Sequence, residues 1–148
     1  LINKKKIGEK YMKNSYDKKN IFSKILRSEI DCEKILENKH ALAFLDINPL
    51  VEGHVLVIPK KEVDYIFDID DETYAGLMIF SKIVAEGVKK AIPCKKVGVS
   101  VIGLEVPHAH VHLIPMNAVS DMNFSREKLN PSAEQLAETA QKIRAALS

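Results

Sequence analysis

The chain has 148 residues, 46% of them apolar, with six glycines and six prolines. That composition suits one globular domain with a real core and excludes disordered, collagen-like and coiled-coil classes. The net charge of +2 is unevenly placed: residues 1–20 hold seven lysines against Glu9 and Asp17, so the rest of the chain is mildly acidic.

No basic stripe continues into the domain, and no apolar run approaches the ~20 residues of a membrane span. Neither nucleic acid nor a membrane is therefore expected as a partner. Cys32 and Cys94 form neither a C-x-x-C pair nor a disulfide framework, and a cytoplasmic protein is expected.

In chain order, residues 1–19 read as a basic, flexible leader and residues 20–148 as a single domain without repeats or linkers. Asn20 is a helix-capping residue, and Ile21, Phe22, Ile25 and Leu26 recur at helical spacing, which predicts a short amphipathic helix. Glu33–Leu36 and Ala41–Asp46, separated by Asn38-Lys39-His40, predict a hairpin. Past Asn48-Pro49 and Gly53, His54–Pro59 reads as a buried strand ended by proline. Asp70 and Asp71 cap a long helix from Glu72 to Ile92, closed by Pro93. Its apolar face is Tyr74, Leu77, Phe80, Val84 and Val88. Strands follow at Lys96–Ile102 and, beyond Gly103, at Val106–Ile114. Asn130-Pro131 opens a last helix with a stripe of Leu136, Ala140, Ile143 and Leu147. This succession predicts an α+β fold: a largely antiparallel sheet, one short and one long helix, and a C-terminal helix.

The chemistry concentrates in His108-Ala109-His110-Val111-His112-Leu113-Ile114-Pro115. On a strand the side-chain period is two, so the three imidazoles share one face while Ala109, Val111 and Leu113 share the other. Successive rings would stand about 6.6 Å apart along the strand. Two readings fit that row. A His-x-His pair can bind a metal, although the outer two of three lie too far apart to share one ion and only Glu105 is near in sequence. Alternatively, a neutral imidazole attacks an electrophile such as phosphorus, and its neighbours orient it and stabilise developing charge. Clustered imidazoles favour the second, because they cannot all be protonated cheaply.

The same run resembles the His-φ-His-φ-His-φ-φ signature of the histidine-triad (HIT) nucleotide-binding family. So do Ile21-Phe22-Ser23-Lys24-Ile25, Ala43-Phe44-Leu45-Asp46-Ile47-Asn48-Pro49 and Gly53-His54-Val55-Leu56-Val57-Ile58-Pro59-Lys60, in family order over roughly residues 20–118. The likeness is greatest to the Hint-like, bacterial-type branch. It implies a HIT-like α+β protomer that forms a homodimer and binds a purine nucleotide (AMP-like) ligand without a cofactor. His110 would be the nucleophile forming a covalent nucleotidyl-histidine, with His108 orienting it and His112 beside the phosphate and leaving group. His54 resembles the family's supporting fourth histidine. Asp46 matches the ribose-binding position, and Phe22, Ile25, Phe44, Leu45 and Ile47 match the walls around the base. Glu105 stands at the position just before the triad segment, and Ser100 matches a phosphate-contacting asparagine.

The sequence also departs from that pattern. Leu104 stands where relatives commonly carry glutamine, and a leucine gives the phosphate no hydrogen bond; the lost donor is worth on the order of 10²–10³ in rate. The cysteines with which some bacterial relatives hold zinc are replaced by Asn20 and Ser23, and a later histidine by Glu62, so no metal is expected. The expected activity is metal-independent hydrolysis or transfer of nucleoside 5′-phosphoramidates or phosphate esters. The alternative is a catalytically weak nucleotide-binding sensor or interaction dimer.

Overall fold

The computed structural model describes residues 15–148. Positions 1–14, most of the lysine-rich leader, lie outside the described residues. The short helix α1 spans Ile21–Leu26, and Asn20 caps it by accepting the Ser23 backbone N–H at 2.9 Å. Strands β1 (Lys34–Glu37), β2 (Ala41–Leu45) and β3 (Val55–Pro59) form a meander. Helix α2 (Asp71–Ala91) starts on the cap of Asp70, whose carboxylate accepts from Thr73 N–H. Then come β4 (Lys96–Ser100), β5 (Val111–Met116) and α3 (Ala133–Leu147), with single 3₁₀ turns at Ile66–Asp68 and Val119–Met122.

The five strands lie in the order β1-β2-β3-β5-β4, and every pairing is antiparallel. The sequence-predicted α+β class and helix set are those observed. Most boundaries shift by one or two residues, among them β4, which ends at Ser100 and not Ile102, and two of the differences have a clear cause. The last helix begins at Ala133, because Ser132 and Gln135 form a reciprocal cap, and Pro131 lies just outside it. The triad strand begins at Val111, not Val106. Ahead of it His108 N–H turns back to the Val106 carbonyl, and Ala109 N–H bonds Val63 O at 2.8 Å. The His108 and Ala109 amides are thus spent outside the β3–β5 ladder.

Alternation sorts the strand residues between two layers. Ala41, Ala43, Leu45, Val55, Val57, Val111 and Leu113 pack against Leu77, Phe80, Val84 and Val88 of α2 and Ile143 of α3 in the main core. On the opposite face Leu42, Phe44, Leu56 and Ile58 meet Phe22 and Ile25 of α1, a helix of six residues, with Leu26, Cys32 and Val106 at the margin. One face of the sheet is therefore covered by two long helices and the other by one short one. A groove remains on the second face, the face His112 shares through its register with Leu56 and Ser100. Gly53, immediately before the buried His54, has φ +88°, and a Cβ there would stand 2.8 Å from Ile92. Only glycine brings the β2–β3 loop this close to the end of α2.

Candidate functional site: a relay of four histidines under a cleft

A cleft of about 400 Å³ opens on the α1 face of the sheet. Its apolar end is lined by Ile21, Phe22, Ile25, Cys32, Phe44 and Ile47, and its floor by His110, His112, His54 and Asp46. Gly103, Leu104, Glu105, Val106, Phe124 and Lys128 form the other side. His54, His108, His110 and His112 are all buried. His110 and His112 have ring centroids 4.9 Å apart, less than the separation expected along a strand, because His110 precedes β5 and the rings lean together.

Backbone partners decide which nitrogen of each ring carries the proton. The Leu50 N–H donates to His54 Nδ1 at 3.1 Å, so His54 holds its own proton on Nε2 and donates it to His112 Nδ1 at 2.9 Å. Neutral His112 then presents Nε2–H. The carbonyl of Pro59 can only accept, so His108 Nε2–H donates to it at 2.9 Å. The His108 carbonyl in turn accepts from His110 Nδ1–H at 2.6 Å, which leaves the lone pair of His110 on Nε2. The fold thus places on one floor a ring nitrogen with a free lone pair and, one ring away, an N–H donor.

Charge is scarce around these rings. Burial is the leading influence on all four: it pushes His54 down to about 3 and His112 to about 4, and lowers His108 and His110. The nearest carboxylate to the His54–His112 pair, Asp46 Oδ2, is 3.8 Å from His54 Nε2, too far to hold a proton there. Asp46 itself is raised by burial, while its Oδ1 accepts the Asn48 N–H. Asp46, His54 and His112 bring ligand-type atoms within 4.8 Å of one another. An ion held there would have to replace the proton that now joins the two imidazoles.

Most residues singled out from the sequence converge on the cleft. Phe22 meets the His110 ring edge-on at 4.9 Å and Phe44 at 5.6 Å. Leu45 reaches the rim, but its side chain belongs to the core beneath the sheet. Ile47 and Glu105 are exposed at the mouth, as is Leu104, which is 90% accessible. Ser100 lies at the end of β4 opposite His112 and His108 lies beneath the floor; neither lines the cleft. Phe124, packed edge-on against His112 at 4.8 Å, and Lys128 are additions from the structure; they follow the triad in a polar loop with no periodic signal.

Tyr16 is a third addition, because it falls inside the segment that reads as leader. Its hydroxyl hydrogen-bonds His108 Nδ1 and Ser23 Oγ, and Asn20 Nδ2 donates to it at 2.8 Å. With His108 Nδ1 as acceptor, Tyr16 O–H is the donor that completes the His108 ring's bonding. Asn20 and Ser23, which stand in place of zinc-binding cysteines, are spent in this buried network. Tyr16→Phe keeps the ring packed on His108 (centroids 5.6 Å apart) but removes the donor. In the histidine-triad reaction that the family resemblance implies, the expected result is a roughly tenfold lower kcat with KM little changed, the equivalent of about one hydrogen bond. The acid limb of the pH–rate profile also moves upward, since the freed His108 Nδ1 protonates more readily. A profile identical to wild type would refute the positioning role.

Comparison with known proteins agrees with this geometry. The HIT domain model matches residues 27–119. The chain belongs to the HIT family. A 13.2 kDa HIT-like protein of Azospirillum brasilense is 42% identical over 110 residues, covering 69% of this chain and 89% of the relative. The adenosine 5′-monophosphoramidase of Saccharomyces cerevisiae is 41% identical over 96 residues, 64% of this chain and 61% of that enzyme. Among solved structures, a Hit-like protein of Bartonella henselae superposes with a TM-score of 0.79 at 36% identity, covering 90% of this chain and 99% of that one. Among the described residues no helix is long and apolar enough to cross a membrane.

Proposed function

We propose that this HIT protein is a metal-independent hydrolase or transferase of nucleoside 5′-phosphoramidates or phosphate esters, with adenosine as the nucleoside. The observation that carries the reading is the His110 ring, pinned through Nδ1–H to the His108 carbonyl so that its Nε2 lone pair is the reactive nitrogen. Further support comes from the yeast relative, an adenosine 5′-monophosphoramidase. In the proposed reaction the base enters between Phe22, Ile25, Phe44 and Ile47, and Asp46 accepts from the ribose hydroxyls. His110 Nε2 attacks the α-phosphorus, and the P–N or P–O bond to the leaving group breaks. That group departs with the bonding pair, held by the hydrogen bond from His112 Nε2–H, and takes its proton from solvent. The nucleotidyl-imidazolium keeps its Nδ1–H on the His108 carbonyl. Water then attacks phosphorus, releases Nε2 of His110 and loses its proton to solvent, so the cycle closes.

Hydrolysis of adenosine 5′-phosphoramidate to AMP and ammonia, with and without EDTA, tests this reading. The expected result is turnover that chelation leaves unchanged. Loss of activity on chelation, restored by a divalent ion, would replace it with a metal mechanism at Asp46, His54 and His112.

Leu104, exposed at the cleft mouth without a hydrogen-bonding group, favours a second reading: a nucleotide-binding sensor with slow turnover. Tight AMP binding with hydrolysis no faster than a variant lacking His110 would decide for it. A homodimer is part of either reading. The edge strand β4 carries exposed Val99 near its end and Val101 just past it, and α2, which packs along it, exposes Ile79 and Ile83. Pairing two such edges would cover these apolar residues. Sedimentation is expected to give twice the chain mass, and a stable monomer would contradict it.

A further inference from the structure

The connection between β3 and α2 turns large aromatic rings outward. Tyr65 is 58% and Phe67 69% exposed, and neither lines the cleft. Their rings meet edge-on with centroids 5.5 Å apart, and Tyr74, half-buried near the start of α2, stands 6.4 Å from Phe67. Apolar residues exposed singly are ordinary, whereas three rings in contact form a patch. The turn that carries them is anchored. Ile66 and Ile69 are buried in the main core, and Tyr65 O accepts the Asp68 N–H at 2.9 Å. Lys61 pairs with Asp70 at 2.9 Å, and Val63 O accepts the Ala109 N–H. A partner therefore meets rings that are already positioned, which lowers the ordering cost of binding. The expected homodimer edge does not account for them. Ile79 and Ile83 lie roughly 140° and 180° around α2 from Tyr74.

The charge around the rings is of one sign. From Glu62 to Ser81 the chain carries six carboxylates and no lysine, arginine or histidine. Asp70 is spent on the α2 cap and Lys61, and Glu62 lies 3.9 Å from Lys18. Asp64, Asp68, Asp71 and Glu72 are exposed, and among the described residues none of them is in an ion pair. The face of an aromatic ring is the negative part of its quadrupole, and carboxylates beside it add to the same field. Such a surface repels phosphate-bearing polymers and anionic lipid and attracts cations. Guanidinium suits it better than ammonium, because it is weakly hydrated and stacks on a ring while its N–H fork reaches a carboxylate. We infer that the Tyr65–Phe67–Tyr74 ridge is a docking surface for an arginine-bearing basic segment of a protein partner, separate from the nucleotide cleft and from the homodimer edge.

The test uses the full chain and a fluorescein-labelled octa-arginine peptide, followed by anisotropy, with octa-lysine for comparison. The expected result is saturable binding, several-fold tighter for octa-arginine and weakened by rising salt. Combining Tyr65→Ala with Phe67→Ala weakens it roughly tenfold, the worth of two exposed cation–ring contacts, although the protein's charge is unchanged. Phe67→Leu keeps an apolar side chain without a ring face, and it too weakens binding. Asp64→Asn with Asp68→Asn lowers affinity and flattens the salt dependence. Thermal melting checks that each variant is folded. Equal affinity in wild type and the Tyr65→Ala, Phe67→Ala variant overturns the inference, because the peptide then responds to acidic surface alone. A double variant that sediments as a smaller species than wild type also overturns it, assigning the ridge to a second copy of the chain. So does failure of the full chain to bind the peptide. None of these readouts depends on turnover, so the nucleotide reading stands or falls separately.

Discussion

Replacing His110 by alanine is expected to lower phosphoramidate turnover by on the order of 10⁴-fold or more while the protein remains folded. The size follows from the role: without Nε2 no other described group on the floor presents an unshared imidazole lone pair. His108 donates Nε2–H to Pro59 and accepts at Nδ1 from Tyr16, and His112 accepts at Nδ1 from His54. A residue acting as nucleophile is not replaced by its neighbours, so the loss resembles removal of the whole relay. The fold should tolerate the change, because the His110 ring borders the open cleft and its one ring hydrogen bond is to a local carbonyl. Quench-flow with radiolabelled substrate gives a second check: wild type accumulates acid-labile, base-stable nucleotidyl-protein and His110→Ala does not. Turnover within tenfold of wild type would remove His110 from the nucleophile role, and melting behaviour separates that outcome from unfolding.

What the sequence made legible, and what it did not, follows from the range of the interactions involved. The strands and helices read well because their signals are local: Asn20 and Asp70 cap their own helices, and Ala41–Leu45 and Val55–Pro59 are short apolar runs buried on both faces of the sheet. The histidine row is legible from the two-residue period of a strand, whereas His54 and Asp46 join it only through the family resemblance of the segments that carry them. The early start expected for the triad strand fails for a tertiary reason. Ala109 finds its backbone partner in Val63, 46 positions away, and no local pattern records such a choice. Tyr16, Phe124 and Lys128 escape notice for the same reason: each lies in a polar, aperiodic segment and gains meaning only from a contact made across the fold. The tautomers are likewise a tertiary property. They are fixed by the Leu50 amide and the Pro59 and His108 carbonyls, groups that no sequence pattern marks.

Acidification is expected to destabilise the protein before it reaches the carboxylate range. Free histidine titrates near pH 6.5 in the unfolded chain. Burial holds His54 at about 3 and His112 at about 4 in the folded protein, with His108 and His110 also lowered. Between those values the unfolded chain binds more protons than the native one, so unfolding free energy rises with pH. The stability is complete above about pH 6.5 and is lost progressively as pH falls toward 4. Each ring that stays neutral while its unfolded counterpart is protonated costs about 1.4 kcal/mol for every pH unit of acidification. Asp46, raised by burial, works in the opposite direction but only once pH approaches its own titration, so it does not cancel the slope above that point. Urea unfolding at pH 7.5 and about 5 is expected to show a clear fall in midpoint for wild type. His112→Gln keeps an acceptor for the His54 Nε2–H without a titrating ring, and its pH dependence should be shallower. The activity profile has a different midpoint from the stability slope. Catalysis needs the folded, neutral His110, so its acid limb falls below pH 6.5, whereas the loss of stability begins there. A wild-type midpoint that does not change between the two pH values would mean that the four rings are hydrated or charged in solution, and the neutral relay on which the mechanism depends would be wrong.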